Sequence, residues 1–321
     1  MLQIGKKWYH CQTAANRVFW RPGFNYSKDE ERIRKTTVNK PIRKAYMPPQ
    51  SSWKNWDEVF AEPRDISCET VQTGNLIIHN RFMLNLANPE ARDIKKEVLN
   101  VPVYCNIVRH AAEGDYLVDA GLDRAFQANA YGSIRGILKR ILWPLKSYQR
   151  KGQDIASLLA GRKIRLKGVF FSHMHADHIS GVRDLQKDIK IFLDKDESDY
   201  TLGPLFSHDV FNGFTTLYTF DFGAAREMAP LGPCIDVFGD GSFWAVRTSG
   251  HRKGHVSYLV NGRNGTFLLA GDACDLRVGF EKGIGPGFGS YNKNEAQRSL
   301  NRMIAFSRQY PKVTVIFGHE T

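Results

Sequence analysis

Short apolar stretches bounded by turn residues recur along the chain from about Thr73 to its end. Stretches of this length and composition are typical of β-strands. They predict strands at 101–108, 116–118, 167–172, 189–193, 243–248, 257–260, 266–270 and 313–317. Apolar residues at helical spacing predict helices between them, at 153–160, 181–187 and 294–310. Because strands and helices interleave, we expect an α/β fold in which helices cover mixed sheets.

The first 72 residues follow a different pattern. They are basic and aromatic, show little periodicity and contain prolines that would interrupt a helix, namely Pro41, Pro48, Pro49 and Pro63. We therefore predict an irregular N-terminal extension at 1–72 and a main domain at 73–321. Aromatic side chains would pack the extension onto that domain, namely Trp8, Phe19, Trp20, Trp53 and Trp56.

A basic amphipathic helix is predicted near 131–149. Its apolar residues recur at helical spacing, namely Ile134, Ile137, Leu138, Ile141 and Leu142. Basic residues lie between them, namely Arg135, Lys139, Arg140 and Lys146. An ordinary helix that packs one face on the domain would show this pattern. A helix at the active-site entrance that meets an anionic membrane surface or an acyl chain would show it as well.

Composition and charge limit the possible domain organisation, cellular compartment and binding partners. A chain of 321 residues suits one large α/β domain with an appendage, and no run of about 18 apolar residues offers a membrane span. The N-terminus carries no apolar signal segment, and the five cysteines are scattered, so we expect a reducing cytoplasm. The net charge of +12 would favour nucleic acid, anionic lipid or acidic small substrates without choosing among them.

Four candidate metal ligands follow the predicted strand at 168–172, namely His173, His175, Asp177 and His178. Alternating histidines share one side of an extended segment, and the other two residues follow as the chain turns toward a helix. Zinc and similar divalent ions favour imidazole nitrogen supplemented by carboxylate oxygen. A surface loop that happens to hold three of the ten histidines is the alternative, but so dense a cluster after a buried strand favours a metal site.

The run Ser-His-Met-His-Ala-Asp-His at 172–178 resembles the His-x-His-x-Asp-His signature of the metallo-β-lactamase-fold superfamily. The resemblance demands three further ligands downstream, and the chain supplies His251 in Thr-Ser-Gly-His, Asp272 in Leu-Leu-Ala-Gly-Asp and His319 in Ile-Phe-Gly-His. Asp119 matches the early Asp-x-Gly turn, whose carboxylate supports the metal loop without binding metal. The resemblance implies a four-layer αββα sandwich.

The same resemblance implies two divalent metal ions, zinc first, with iron, manganese or cobalt accepted by the same ligands. The implied ligands are His173, His175 and His251 for one metal, Asp177, His178 and His319 for the other, and Asp272 bridging both. A water or hydroxide shared by the metals would be the nucleophile, and Asp177 would also exchange a proton. His255 would either contact substrate or the ligand network, or serve as a hydrogen-bonded structural histidine, and we favour the structural role.

Within the superfamily, this ligand set recurs in acyl-homoserine lactonases, glyoxalase II-type thioesterases and ribonuclease Z-like phosphodiesterases. Segment order and the turn at 239–242 are most similar to the lactonases, which predicts hydrolysis of a lactone with an apolar acyl portion. Lactonases commonly place a tyrosine three residues after the bridging aspartate. Asp275 stands at that position here, and Tyr291 could substitute for the tyrosine.

Other substrates and chemistries stay open. The net charge and the basic stretch at 135–167 suit a phosphodiesterase acting on nucleic acid or phospholipid, but nucleic acid is not favoured because no RNA-binding module is evident. The ligands alone would also suit an iron dioxygenase of the same fold. A run of aromatic residues lies between 206 and 222, namely Phe206, Phe211, Phe214, Tyr218, Phe220 and Phe222. These side chains could line an acyl pocket, although packing in the core or in a lid is the favoured interpretation.

Overall fold

The computed structural model describes residues 9–13, 16–20, 40–137, 146–197 and 209–320. The chain divides into two compact units, residues 1–40 and 41–321. In the first unit, β1 (Tyr9–Thr13) pairs antiparallel with β2 (Asn16–Trp20). Residues 41–72, which composition groups with the extension, belong to the second unit, where Trp56 is fully buried. The packing of the first unit on the domain stays a prediction.

The larger sheet of the second unit has eight strands. In chain order these are β3 (Ile42–Ala45), β4 (Ile66–His79), β5 (Val98–His110), β6 (Gly114–Val118), β7 (Lys146–Tyr148), β8 (Leu166–Phe170), β9 (Lys190–Asp194) and β10 (Thr216–Phe220). Their order across the sheet is β3-β10-β9-β8-β6-β5-β4-β7. Strands β8, β9 and β10 run parallel, whereas β4 and β5 form a long antiparallel pair.

The smaller sheet has six strands, which are β11 (Arg226–Met228), β12 (Gly232–Asp236), β13 (Phe243–Arg247), β14 (Val256–Gly262), β15 (Gly265–Leu269) and β16 (Val313–Ile316). They lie side by side in chain order. All neighbours are antiparallel except β15 and β16, which are parallel. A parallel pair needs a crossover connection, and the longest helix of the described residues, Lys293–Gln309, lies in that connection.

The α-helices of the described residues are α1 (Trp56–Ala61), α2 (Ile155–Gly161), α3 (Ala176–Ile179), α4 (Arg277–Lys282) and α5 (Lys293–Gln309). Single 3₁₀ turns occur at Asn80–Phe82, Pro89–Ala91, Arg124–Gln127, Ser180–Asp184, Phe222–Ala224 and Gly271–Ala273. None of the helices in these parts of the chain combines the length and the apolar character that crossing a membrane requires.

Successive side chains of a strand point to opposite faces of its sheet, and this alternation gives each sheet an inner and an outer apolar face. In β13, Phe243 and Ala245 lie between the two sheets, whereas Trp244 packs on the outer side against Leu300 of α5. In β8, Phe170 lies between the sheets, and its neighbours pack on the other side with α2. The order of layers is therefore helix, sheet, sheet, helix, which confirms the predicted αββα sandwich.

The segment at 131–149 differs from the predicted helix. Its described residues form turns up to 137 and the short strand β7 at its end, while 138–145 lie outside the described residues. Gly132 and Gly136 explain the difference at the start, because both adopt the left-handed backbone region (φ 52° and 98°), which ends a right-handed helix. Membrane contact through this segment stays a prediction without a described helix to support it.

Two other predictions are sharpened by the structure. The helix expected at 181–187 is a 3₁₀ turn at Ser180–Asp184. Of the aromatic run, Phe211, Phe214, Phe220 and Phe222 are buried in the core, so core packing is the correct interpretation for them. Phe206 lies outside the described residues.

Candidate metal centre

The candidate ligands lie just beyond the ends of four strands. Two hydrogen bonds join the two sheets at this point: the Val256 amide donates to the Ser172 carbonyl, and the Tyr258 hydroxyl donates to the Phe171 carbonyl, both at 2.8 Å. The ligands follow in strand order, with His173, His175, Asp177 and His178 after β8, His251 after β13, Asp272 after β15 and His319 after β16. Residues distant in sequence therefore meet at one edge of the sandwich.

The ligand atoms form two groups, in each of which they lie within 4.8 Å of one another, and a third group of Asp272, Asp275 and His319 overlaps both. The first contains His173, His175, His251 and Asp272, and the second contains Asp177, His178 and His319. The resemblance implies the same two sets of ligands, except that it gives Asp272 to both metals.

The two carboxylate oxygens of Asp272 face different groups. Oδ2 lies 3.5 Å from Nε2 of His173 and 3.3 Å from Nε2 of His251. Oδ1 lies 3.1 Å from Nε2 of His178 and 3.5 Å from Nε2 of His319. Two atoms that bind one tetrahedral zinc ion at about 2.0–2.1 Å lie about 3.3 Å apart. The observed spacings therefore fit a carboxylate that bridges two ions.

A second observation supports the view that these residues suit a metal ion. Nε2 of His173 is buried and makes no hydrogen bond within the described part of the chain. A buried polar atom without a hydrogen bond is costly, and a bound ion would use its lone pair. Burial lowers the pKa of His173 well below its usual value and that of His251 to about 4, so both imidazoles are neutral, the form that binds metal.

Asp119 orients the ligands from behind. Its Oδ2 lies 2.8 Å from Nδ1 of His178 and accepts a hydrogen bond of the same length from the Ser172 hydroxyl, while its Oδ1 accepts one from the Ser172 amide. The Ser172 hydroxyl also contacts Nδ1 of His173 at 3.0 Å. Asp119 has a left-handed backbone (φ 60°), which aspartate tolerates better than most residues. A carboxylate on Nδ1 leaves Nε2 of His178 free to face the site.

The remaining imidazole contacts complete this arrangement. Nδ1 of His319 donates to the Pro102 carbonyl at 2.8 Å, which leaves its Nε2 toward the carboxylates. His255 is fully buried, its Nδ1 lies 2.8 Å from the Thr248 hydroxyl, and burial lowers its pKa to about 3. Its Nε2 is buried as well and makes no hydrogen bond within the described residues, and the structural role favoured from the sequence stays a prediction.

The pKa of His178, in the second group, is shifted in the opposite direction to those of His173 and His251 in the first. Burial acts to lower the pKa of His178, but Asp272 and Asp119 outweigh it, and the pKa lies well above its usual value. Burial also works against ionisation of Asp272, yet His178 and His173 hold the pKa of that carboxyl well below its usual range. The centre therefore concentrates negative charge where two cations would lie.

Residues 99–319 match the family model of the metallo-beta-lactamase superfamily. The chain belongs to this superfamily. The match includes every candidate ligand and Asp119, and it confirms the resemblance drawn from the sequence.

Several similar proteins are described as lactonases. The N-acyl homoserine lactonase AttM of Agrobacterium fabrum is 26% identical over 263 residues, which cover 80% of this chain and 94% of the relative. The crystal structure of a quorum-quenching N-acyl homoserine lactone hydrolase superimposes with a TM-score of 0.62 at 16% identity, covering 81% of this chain and 94% of the other. AidC, a dizinc quorum-quenching lactonase, gives 0.51 at 16% identity, with 81% and 89% covered. The chain is thus assigned to the metal-dependent hydrolases of the superfamily.

Asp275 and Tyr291 occupy different surroundings in this superfamily member. Asp275 is buried, and a carboxylate oxygen of it lies within 4.8 Å of the ligand atoms of Asp272 and His319. Burial, reinforced by the charge of Asp272, raises the pKa of Asp275 well above its usual value. Tyr291 is exposed, and its amide donates to the His251 carbonyl at 2.9 Å. Asp275 therefore belongs to the centre, and Tyr291 lies in the loop beside it.

Sequence reasoning missed two residues of the site. Ser172 links Asp119 to His173 through its hydroxyl, and Glu197 holds backbone amides of two ligand loops. The signal for Ser172 was its place directly after a predicted strand and before the first ligand. Glu197 gave no signal, because it follows Lys195 and Asp196 in an ordinary polar turn.

Proposed function

We propose that the chain hydrolyses N-acyl homoserine lactones, or lactones of similar shape, with two divalent metal ions. The observation that carries the proposal is the division of seven donor residues into two groups that share Asp272. The lactonase relatives match nearly their whole length, which supports lactones over the other ester-type substrates. Zinc is the proposed metal because imidazole and carboxylate donors suit it, and one similar structure is described as a dizinc lactonase.

The proposed roles divide among the chain's own residues. His173, His175 and His251 would hold one ion, Asp177, His178 and His319 the other, and Asp272 would contact both. When bound, the ions would polarise the lactone carbonyl and lower the pKa of a coordinated water. Opening the ring adds water and breaks the ester C–O bond, so the leaving oxygen must take up a proton.

Asp177 is the proposed carrier of that proton. Its carboxylate is buried in the first turn of α3, and Oδ2 lies 3.6 Å from Nε2 of both His178 and His319. Burial raises the pKa of Asp177 above its usual value in the metal-free chain. A carboxylate that binds an ion through one oxygen would keep the other to take up and return the proton. Asp119 and Ser172 would keep the imidazoles oriented during the exchange.

An aromatic surface near the centre suits the acyl portion of such a substrate. Phe288 is 63% exposed, its ring meets that of Phe82 edge to face at 5.5 Å, and the Arg81 guanidinium lies over both rings. Tyr291, in the same loop, hydrogen-bonds through its amide to the backbone of His251. An exposed apolar surface beside a polar centre is typical of a ligand site, and we propose that an acyl chain lies on it.

The compartment is a further part of the proposal. Cys68, Cys105, Cys234 and Cys274 are free thiols, and burial raises the pKa of each. Three of these thiols, all but that of Cys68, are buried, and unreactive buried thiols suit a reducing cytoplasm.

Metal analysis of the purified protein, combined with a substrate panel, tests the proposal. We expect two ions per chain and turnover of acyl homoserine lactones, with higher kcat/KM for longer acyl chains. The panel would include thioesters and phosphodiesters at matched concentrations. Turnover of either class without lactone turnover would contradict the substrate assignment, and fewer than two ions under replete conditions would contradict the dinuclear centre.

A further inference from the structure

The carboxylate of Glu197 lies between the two backbone segments that carry the first ligand group. Glu197 follows β9, and only 2% of its surface is exposed. Its Oε2 accepts a hydrogen bond from the Met174 amide at 3.0 Å, and its Oε1 accepts one from the Gly254 amide at 3.1 Å. One side chain therefore connects two segments that are about eighty residues apart in sequence.

Both segments hold ligands of the same proposed ion. Met174 lies between His173 and His175, and Gly254 lies three residues after His251. An amide that donates to an ionised carboxylate makes a stronger and more directional bond than one that donates to a neutral acceptor. Fixing both amides on one carboxylate therefore fixes the separation of the two segments.

Two neighbours show that the position is built for a carboxylate. The Arg252 guanidinium lies 3.5 Å from Oε2, which offsets the cost of burying the charge. Gly254 leaves room for the approach, since a Cβ there would lie 2.6 Å from the Glu197 nitrogen and 2.9 Å from its Cγ. Any larger residue at 254 would push its segment away from Glu197.

We infer that Glu197 is a positioning residue that holds the 173–175 and 251–255 segments at the separation their imidazoles need to share one metal ion. The inference rests on the proposed function for the identity of the ligand. It predicts a selective effect, because Asp177 and His319 of the second group lie outside both segments. A residue that served stability alone would not distinguish between the two ions.

Glu197→Gln tests this role, with Asp194→Asn as the matched control. Glutamine keeps the shape but offers only one acceptor oxygen, so one amide loses its partner. Asp194 is also a buried carboxylate of the same segment, but it accepts its hydrogen bond from the Asp196 amide within its own turn. Each variant is examined in full-length protein by amide hydrogen exchange without metal, and by titration with Co²⁺ against a chelator.

We expect faster exchange at the Met174 or Gly254 amide in E197Q, and weaker binding of one Co²⁺ ion by about tenfold or more, with the other ion unaffected. D194N should change neither quantity. Glu197→Asp, whose side chain is one methylene shorter, should also weaken the binding of one ion. This variant replaces E197Q in the test if E197Q does not fold. Equal loss of both ions, or exchange and affinity in E197Q equal to those of D194N, would overturn the inference. If the unmodified protein binds no Co²⁺, the proposed function fails, and amide exchange alone decides whether Glu197 joins the segments.

Discussion

Oδ2 of Asp119 lies 2.8 Å from Nδ1 of His178, and both side chains are buried. The contact joins the turn after β6 to the ligand run after β8, which are parallel neighbours in the larger sheet. Asp119 binds the protonated nitrogen of the imidazole, so the other nitrogen is directed at the carboxylates of the centre. A residue that contacts no ion in the proposed arrangement thus sets the direction of one that does.

Asp119→Asn should weaken metal binding by about ten- to a hundredfold without unfolding the protein. Asparagine offers one acceptor oxygen where Ser172 and His178 need two, so the imidazole loses its fixed orientation. Competition with a chelator measures the change. Asp240→Asn is the control, because Asp240 contacts His110 at 3.0 Å in the same way outside the metal centre. Metal affinity of D119N equal to that of D240N would contradict the role.

His255 and His251 should each make the metal-free protein less stable as the pH falls from about 6.5 to about 4, whereas buried carboxyls of raised pKa, such as Asp123 and Asp236, act in the opposite direction. Burial lowers the folded-state pKa of His255 to about 3 and that of His251 to about 4, against 6.5 for the ordinary group. Within this window these two side chains bind protons in the unfolded chain but not in the folded chain, so their contribution favours unfolding in acid.

Each such histidine contributes a slope of about 1.4 kcal/mol per pH unit to the free energy of unfolding. His255→Asn should therefore lack this contribution, so that its pH dependence differs from that of the unmodified protein by about that slope, in the direction of less loss in acid. Urea unfolding in the presence of a chelator, at half-unit steps of pH, measures both slopes. Parallel slopes would show that His255 is protonated in the folded state, against its burial.

The sequence predicts those features of the fold and of the site that depend on residues close together in the chain. The ligand run after β8 follows a buried strand directly, so spacing alone identifies it, and the αββα layers follow from alternation in strands such as β13. The role of Glu197 depends on a contact between segments about eighty residues apart, which no local pattern records. The helix expected at 131–149 was wrong in its described part because two glycines with left-handed backbone override the apolar spacing.

Asp275 should tolerate replacement by asparagine better than by alanine. Its carboxyl is buried beside Asp272, and its raised pKa means that it is protonated and can donate a hydrogen bond to that carboxylate. Asparagine also donates there, whereas alanine leaves a buried oxygen without its donor, at a cost of about 1–3 kcal/mol. Thermal unfolding of both metal-free variants gives the comparison. Equal stability of D275N and D275A would show that the contact contributes nothing.

Phe288→Ala should lower kcat/KM for long-chain acyl homoserine lactones more than for short-chain ones, while the melting temperature changes little. The ring is 63% exposed, so its removal leaves no cavity, but it deprives the acyl chain of apolar contact worth about 0.8 kcal/mol for each methylene that would be covered. Kinetics with a series of acyl lengths measure the effect.

Phe214→Ala is the contrasting variant for the same series. Phe214 is 4% exposed in the core beside α2, so truncation should cost about 3–5 kcal/mol of stability through the cavity it leaves. It should lower activity on all acyl lengths in proportion to the loss of folded protein, with no preference for long chains. A chain-length preference that changes in F214A but not in F288A would move the acyl site from the loop at 284–291 to the aromatic segment after residue 209.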